Sequence, residues 1–141
     1  MRRERRLPIE QLAPVLLELP PLPPPTGPTP DAIPVLDWSA IFGNTRPVEI
    51  EIGFGKGLFL LTASQACPDI NFLGIEILRK YQLFTATRLV KRGIGNVRLV
   101  RADARDFLRQ RVGSESVQAI HIYFPDPWWK KRHWKRRLFS G

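Results

Sequence analysis

Residues 48–57 read VEIEIGFGKG. Val48, Ile50 and Ile52 are β-branched and alternate with Glu49 and Glu51, which predicts a strand. Gly53, Gly55 and Gly57 follow at once, and Leu58–Cys67 then suits a helix that Pro68 ends. The same unit recurs downstream. NFLGIEI (71–77) predicts a second strand. Arg79–Arg92 carries Leu83, Phe84, Thr87 and Val90 at helical spacing, with Gly93 placed as its C-terminal cap. Val97–Arg101 predicts a third strand, Ala104–Arg111 a short helix with Phe107 and Leu108, and Val117–Phe124 a fourth, mostly apolar strand. Strands alternating with helices predict an α/β fold, a parallel sheet with flanking helices joined by right-handed crossovers.

Upstream of this pattern the texture is different. Residues 20–34 hold eight prolines in fifteen positions, which excludes a regular helix or a central strand and reads as a polyproline-like linker. Leu12–Leu19 has room for one short helical turn. The expected division is a basic, Pro-rich and largely disordered extension over 1–44 and a folded domain over 45–141. The first residues resemble the start of an export signal, but Pro14 and Glu18 break the apolar run that should follow. No apolar run reaches the roughly 18 residues of a membrane helix. Cys67 is the only cysteine of the 141 residues, which excludes a disulfide scaffold and a four-cysteine zinc site. No metal-ligand spacing and no nucleophile–base pattern is present.

The net charge of +9 is concentrated at the two ends. Residues 1–6 carry four Arg against one Glu, residues 130–137 carry six Lys or Arg and no acid, and the stretch between is neutral with twelve of each sign. Such clusters are either solvated or meet polyanions.

In open parallel sheets, ligands bind outside the carboxyl ends of the strands. Each unusual residue here is expected at one of those ends. Gly53, Gly55 and Gly57 either make a plain turn or let a ligand approach the backbone. The third glycine comes one position earlier than in the dinucleotide fingerprint, which suits a nucleoside ligand without a pyrophosphate. Glu76, 23 residues after Gly53, is a surface acid or a partner for ribose hydroxyls, and its apolar surroundings favour the second. Asp103 divides evenly between a helix N-cap and a contact to an adenine amino group. Asp126 stands between Pro125 and Pro127, which stiffen it at the crevice mouth. WKKRHWKRR (129–137) interleaves cations with aromatics, a mixture that contacts phosphates and stacks on bases, so RNA or DNA is the expected substrate. Cys67 and His121 read as structural. His133 lies in the basic run and has no visible partner there.

EIGFGKG (51–57), NFLGIEI (71–77), NVRLVRAD (96–103) and FPDPWWKKRHWKRR (124–137) together resemble the tRNA (guanine-N7-)-methyltransferase family, the last block most specifically. The resemblance implies a Rossmann-like class I methyltransferase fold, S-adenosyl-L-methionine as cofactor, and transfer of its methyl group to N7 of a guanine in the tRNA variable loop. It implies cofactor contacts from Glu51, Gly53, Gly55, Gly57, Glu76, Asp103 and Asp126, with Asp126 also at the catalytic position. Lys130 matches a substrate-contacting lysine. Arg132, His133, Trp134, Lys135, Arg136 and Arg137 match the segment that contacts the RNA. The implied partner is tRNA, with no metal and no membrane, in the cytoplasm. The family's chains continue past the basic segment with a further Asp, a T-x-x-E motif and the remaining strands. This sequence therefore reads as truncated at its C-terminus, with the C-terminal strands missing. The competing reading is a non-catalytic RNA-binding fragment of such an enzyme. Nothing in the residues sets the oligomeric state.

Overall fold

A computed structural model describes residues 5–20 and 34–123. The predicted linker lies mostly outside the described residues, as do Asp126, Lys130 and the whole segment 124–141.

The described residues build a four-stranded sheet in the order β3-β2-β1-β4. Its strands are β1 (Val48–Ile52), β2 (Asn71–Glu76), β3 (Val97–Arg101) and β4 (Ala119–Ile122). Every pairing is parallel, and Ile50 faces Leu73 on one side and Ile120 on the other. β1 is thus central, and the strand order reverses between β1 and β4. The crevice outside that reversal is where such sheets take ligands.

Three helices connect the strands as expected: α3 (Leu58–Ala66), α4 (Arg79–Lys91) and α5 (Ala104–Arg111). Gly93 follows α4 with φ +66°. Among the described residues the fourth strand spans Ala119–Ile122, starting two residues later than the predicted Val117. Gln118 still donates its amide to the Val48 carbonyl at 2.7 Å, but the ladder itself starts at Ala119.

The sheet packs on both faces. Leu60 and Leu61 of α3, and Leu83, Ala86 and Leu89 of α4, cover Phe72, Val97 and Leu99. Phe107 of α5 covers Ile50, Ile52, Leu73, Ile75, Val100 and Ile122 on the other face. The buried stripe of α4 includes Gln82, Thr85 and Thr87, while Phe84 and Val90 are only half-buried. Gln82 is accommodated because its Nε2 donates to the Leu99 carbonyl at 3.4 Å. Gly74 is needed for this packing. A Cβ there would come within 2.6 Å of Phe54, 2.7 Å of Leu60 and 2.9 Å of Leu99.

The described parts of the N-terminal region, 5–20 and 34–44, carry short helices, and 5–20 packs against the sheet. Helix α1 (Ile9–Leu12) runs into a 3-10 turn (Ala13–Val15), and Leu12 and Val15 are buried in the same cluster as α4. The Leu17 amide donates to the Leu99 carbonyl at 2.8 Å, so this segment covers the outer edge of β3. An uncovered edge strand is open to pairing with other chains. Helix α2 (Trp38–Phe42), absent from the sequence reading, is capped by Asp37, which accepts from the Ser39 and Ala40 amides. Proline composition set the expectation, but the segments flanking the Pro-rich stretch carry apolar residues that the half-covered sheet can bury.

Candidate active site

The loop 53–57 turns from β1 into α3 by left-handed backbone at each of its three glycines, with φ of +68°, +54° and +82°. Side chains carry strain in that region, and glycine does not. Gly57 has a second reason. A Cβ there would meet the Thr85 Cγ2 at 2.4 Å.

Three contacts hold the loop in place. Glu76 Oε1 accepts the Gly55 amide at 3.0 Å. Thr85 Oγ1 donates to the Gly55 carbonyl at 2.8 Å. Arg88 Nη1 donates to the Lys56 carbonyl at 2.8 Å. The end of β2 and one side of α4 therefore fix the end of β1.

Beside the loop opens a cavity of ≈ 820 Å³. That volume is in the range of small-molecule sites, about 300–1,000 Å³. The glycine loop, Glu51, Glu76, Phe59, Tyr81 and Tyr123 all line it. Large apolar side chains are exposed around this end of the sheet: Leu58, Ile77, Leu78 and Tyr123. Grouped exposed apolar surface marks a site that something covers.

Two carboxylates enter this cavity from neighbouring strands. Glu51 pairs in register with Gly74, so Glu76 lies on the same face, two residues farther along β2. Glu76 is 8% exposed, and its second oxygen accepts the Leu78 amide at 3.0 Å. A carboxylate has roughly four acceptor positions. With two used, positions remain for a ligand's hydroxyls. Glu51 is 3% exposed, and its Oε1 has no hydrogen-bond partner. Burial, with Glu76 nearby as the lesser cause, pushes the Glu51 carboxyl up to about 8. A buried acid without a partner is costly unless a ligand answers it.

Gly53, Gly55, Gly57 and Glu76, expected at one crevice, line this cavity together with Glu51, which only the resemblance had singled out. Asp103 is elsewhere. It lines a separate cavity of ≈ 250 Å³ with Asp106, Arg111 and the segment 17–20. Its Oδ1 accepts the Arg105 and Asp106 amides at 3.0 and 3.4 Å, so the carboxylate turns back to cap α5. Of the strand ends expected at one crevice, the described residues bring those of β1 and β2 to the large cavity and place Asp103, after β3, at the smaller one. Asp126, Lys130, Arg132, His133, Trp134, Lys135, Arg136 and Arg137 lie outside the described residues.

Thr85, Arg88, Glu49 and Tyr123 went unnoticed in the sequence. Only Tyr123 left a signal there, as an aromatic at the end of an apolar strand. Among the described residues, no group of three or more His, Cys, Asp or Glu side chains could hold a metal ion. No described helix is long and apolar enough to cross a membrane.

A family model described as "Putative methyltransferase" matches residues 45–141. A tRNA (guanine-N(7)-)-methyltransferase of Rhodopirellula baltica is 45% identical over 118 residues, which cover 79% of this chain and 44% of that protein. One of the same name from Aliivibrio salmonicida is 42% identical over 107 residues, covering 76% of this chain and 45% of that protein. The chain thus spans less than half the length of these two relatives. The fold is similar to that of a solved antibiotic-related methyltransferase, with a TM-score of 0.55 at 20% identity over 73% of this chain and 54% of that one.

Proposed function

The chain belongs to this methyltransferase family, and from that premise we propose that it forms the donor-binding part of a tRNA (guanine-N7-)-methyltransferase. The cofactor would be S-adenosyl-L-methionine, and the acceptor N7 of a guanine in the tRNA variable loop. The observation that carries the reading is the partnerless Glu51 oxygen, buried in a cavity bounded by the glycine loop and Glu76. The names of the relatives support the substrate.

The residues fit such a donor. Its ammonium group is the cation that a buried, unanswered Glu51 lacks. The remaining acceptor positions of Glu76 suit two ribose hydroxyls. The glycine loop lets a ligand lie against the backbone. When bound, S-adenosyl-L-methionine supplies a methyl group on a positively charged sulfur.

Guanine N7 presents a lone pair and carries no proton to remove. The chain's task at that atom is therefore to position and not to act as a base. Transfer would form the N7–carbon bond as the carbon–sulfur bond breaks, leaving a neutral thioether, so the positive charge would pass from sulfur to the purine and a carboxylate at the cavity would favour that cation. By resemblance, Asp126 is the residue that orients guanine or donor, Lys130 contacts the substrate, and Arg132, His133, Trp134, Lys135, Arg136 and Arg137 contact the RNA. Asp103 is a cofactor contact by resemblance only; its Oδ1 caps α5 and its second oxygen keeps acceptor positions. A tRNA acceptor implies the cytoplasm.

The test is incubation of the chain with methyl-labelled S-adenosyl-L-methionine and unmodified tRNA, with aniline cleavage to locate N7-methylguanine, alongside calorimetry with S-adenosylhomocysteine. Label at a variable-loop guanine is the expected result. Binding of S-adenosylhomocysteine and tRNA without transfer would favour the RNA-binding fragment instead. No binding of S-adenosylhomocysteine would overturn the donor site.

A further inference from the structure

Tyr123 stands at the β4 side of the cavity, across β1 from Glu76. It is 51% exposed, yet its ring and its hydroxyl are both held. The His121 Nδ1 lies 3.1 Å from the Tyr123 hydroxyl. The His121 Nε2 lies 2.7 Å from Glu49 Oε1, and Gln118 Nε2 donates to Glu49 Oε2 at 2.6 Å. The two ring nitrogens of His121 thus bridge the Glu49 carboxylate and the Tyr123 hydroxyl. The three rings also pack. His121 and Tyr123 are stacked at 18° with centroids 5.8 Å apart, and Phe59 lies 4.7 Å from His121 and 5.0 Å from Tyr123.

Holding a half-exposed aromatic in one place costs conformational entropy that burial does not return. The arrangement makes sense when another flat group uses the face. Nucleoside hydroxyls are expected at Glu76, on the β2 side, so the donor's nucleoside falls on the side of the glycine loop away from Tyr123. The β4 side is left for a second flat partner. We propose that Tyr123 is the stacking platform for the acceptor purine, and that Glu49 and His121 are positioning residues that hold its ring at the cavity wall. This rests on the donor-site reading above and adds to it where the acceptor base lies.

The chain has only two tyrosines, Tyr81 and Tyr123, and both line the cavity. Incorporation of 3-fluorotyrosine therefore gives two fluorine signals, assigned with Tyr123→Phe. S-adenosylhomocysteine should move the Tyr81 signal. With that ligand saturating, an RNA hairpin bearing an unpaired guanine should move the Tyr123 signal upfield, and the same hairpin made abasic at that guanine should not. Tyr123→Leu should weaken the guanine hairpin roughly 5- to 150-fold, the span of base–aromatic stacking, and affect S-adenosylhomocysteine affinity far less. Tyr123→Phe should retain most hairpin affinity. His121→Phe keeps a ring but loses both hydrogen bonds, so it should shift and broaden the free Tyr123 signal and weaken the hairpin without altering S-adenosylhomocysteine affinity.

If the guanine and abasic hairpins move Tyr123 alike, or neither moves it, the platform is refuted while the donor site stands. The same holds if neither hairpin binds. If S-adenosylhomocysteine moves neither signal and does not bind, the donor-site reading itself is refuted.

Discussion

Glu51 and Glu76 lie near the ends of neighbouring strands on one face of the sheet, and the two are answered differently. Glu76 accepts the Gly55 and Leu78 amides, whereas Glu51 keeps an oxygen with no partner. One acid builds the loop, and the other waits in the cavity that the loop borders.

Glu51 should destabilise the free chain as pH rises. Its carboxyl is raised from 4.5 to about 8, so between those values the folded state holds a proton that the unfolded state has lost. Stability is then fully present below about pH 4.5 and is lost as pH rises through about 8. Glu51→Gln should match the parent in urea denaturation at pH 4.5 and be clearly more stable at pH 8.5. The same variant should lose S-adenosylhomocysteine binding. Equal midpoints at both pH values would contradict the raised carboxyl.

An ammonium group meeting Glu51 favours its charged form. Donor binding near pH 7 should therefore release close to one proton from this group. Calorimetry in buffers of different ionisation enthalpy reads that proton directly. A heat independent of buffer would mean that the ammonium lies elsewhere.

Gly57→Ala should distort the loop. The new methyl meets the Thr85 Cγ2 at 2.4 Å and sits on backbone at φ +82°. The expected cost is about 1–3 kcal/mol in stability, with weaker S-adenosylhomocysteine binding because the Thr85 bond to the Gly55 carbonyl moves. Thr85→Ser removes Cγ2 and retains the hydroxyl, so adding it should restore part of both losses. A double variant no better than Gly57→Ala would put the whole cost on the backbone.

Leu12→Ala should cost about 2–5 kcal/mol, as for other fully buried leucines. A stability change near zero would show that the N-terminal segment is not part of the cooperative unit. The expected loss would place residues 7–17 inside the fold that carries the site.

Most of the sheet could be read from the chain because its signals are local. Strand β1 shows period-two alternation, Pro68 and Gly93 punctuate the helices, and α5 falls on the residues predicted for it. Of the cavity residues, Gly53, Gly55, Gly57 and Glu76 were visible from their places at strand ends, whereas Glu51 came in only with the family resemblance. The packed N-terminal segment was not visible. Its prolines announce a linker, whereas Leu12 and Val15 are drawn into the core by an apolar surface that exists only once the sheet has formed.

The order of strands and helices, and which strand ends carry glycines and acids, were written in the pattern of residues because backbone geometry acts over a few positions. How those acids are treated was settled by contacts between distant residues. Asp103 caps its own helix, Glu76 clamps a loop 21 residues away, and His121 bridges Glu49 to Tyr123 across 72 residues. Hydrogen bonding and desolvation depend on which atoms meet in space, and no local pattern records that.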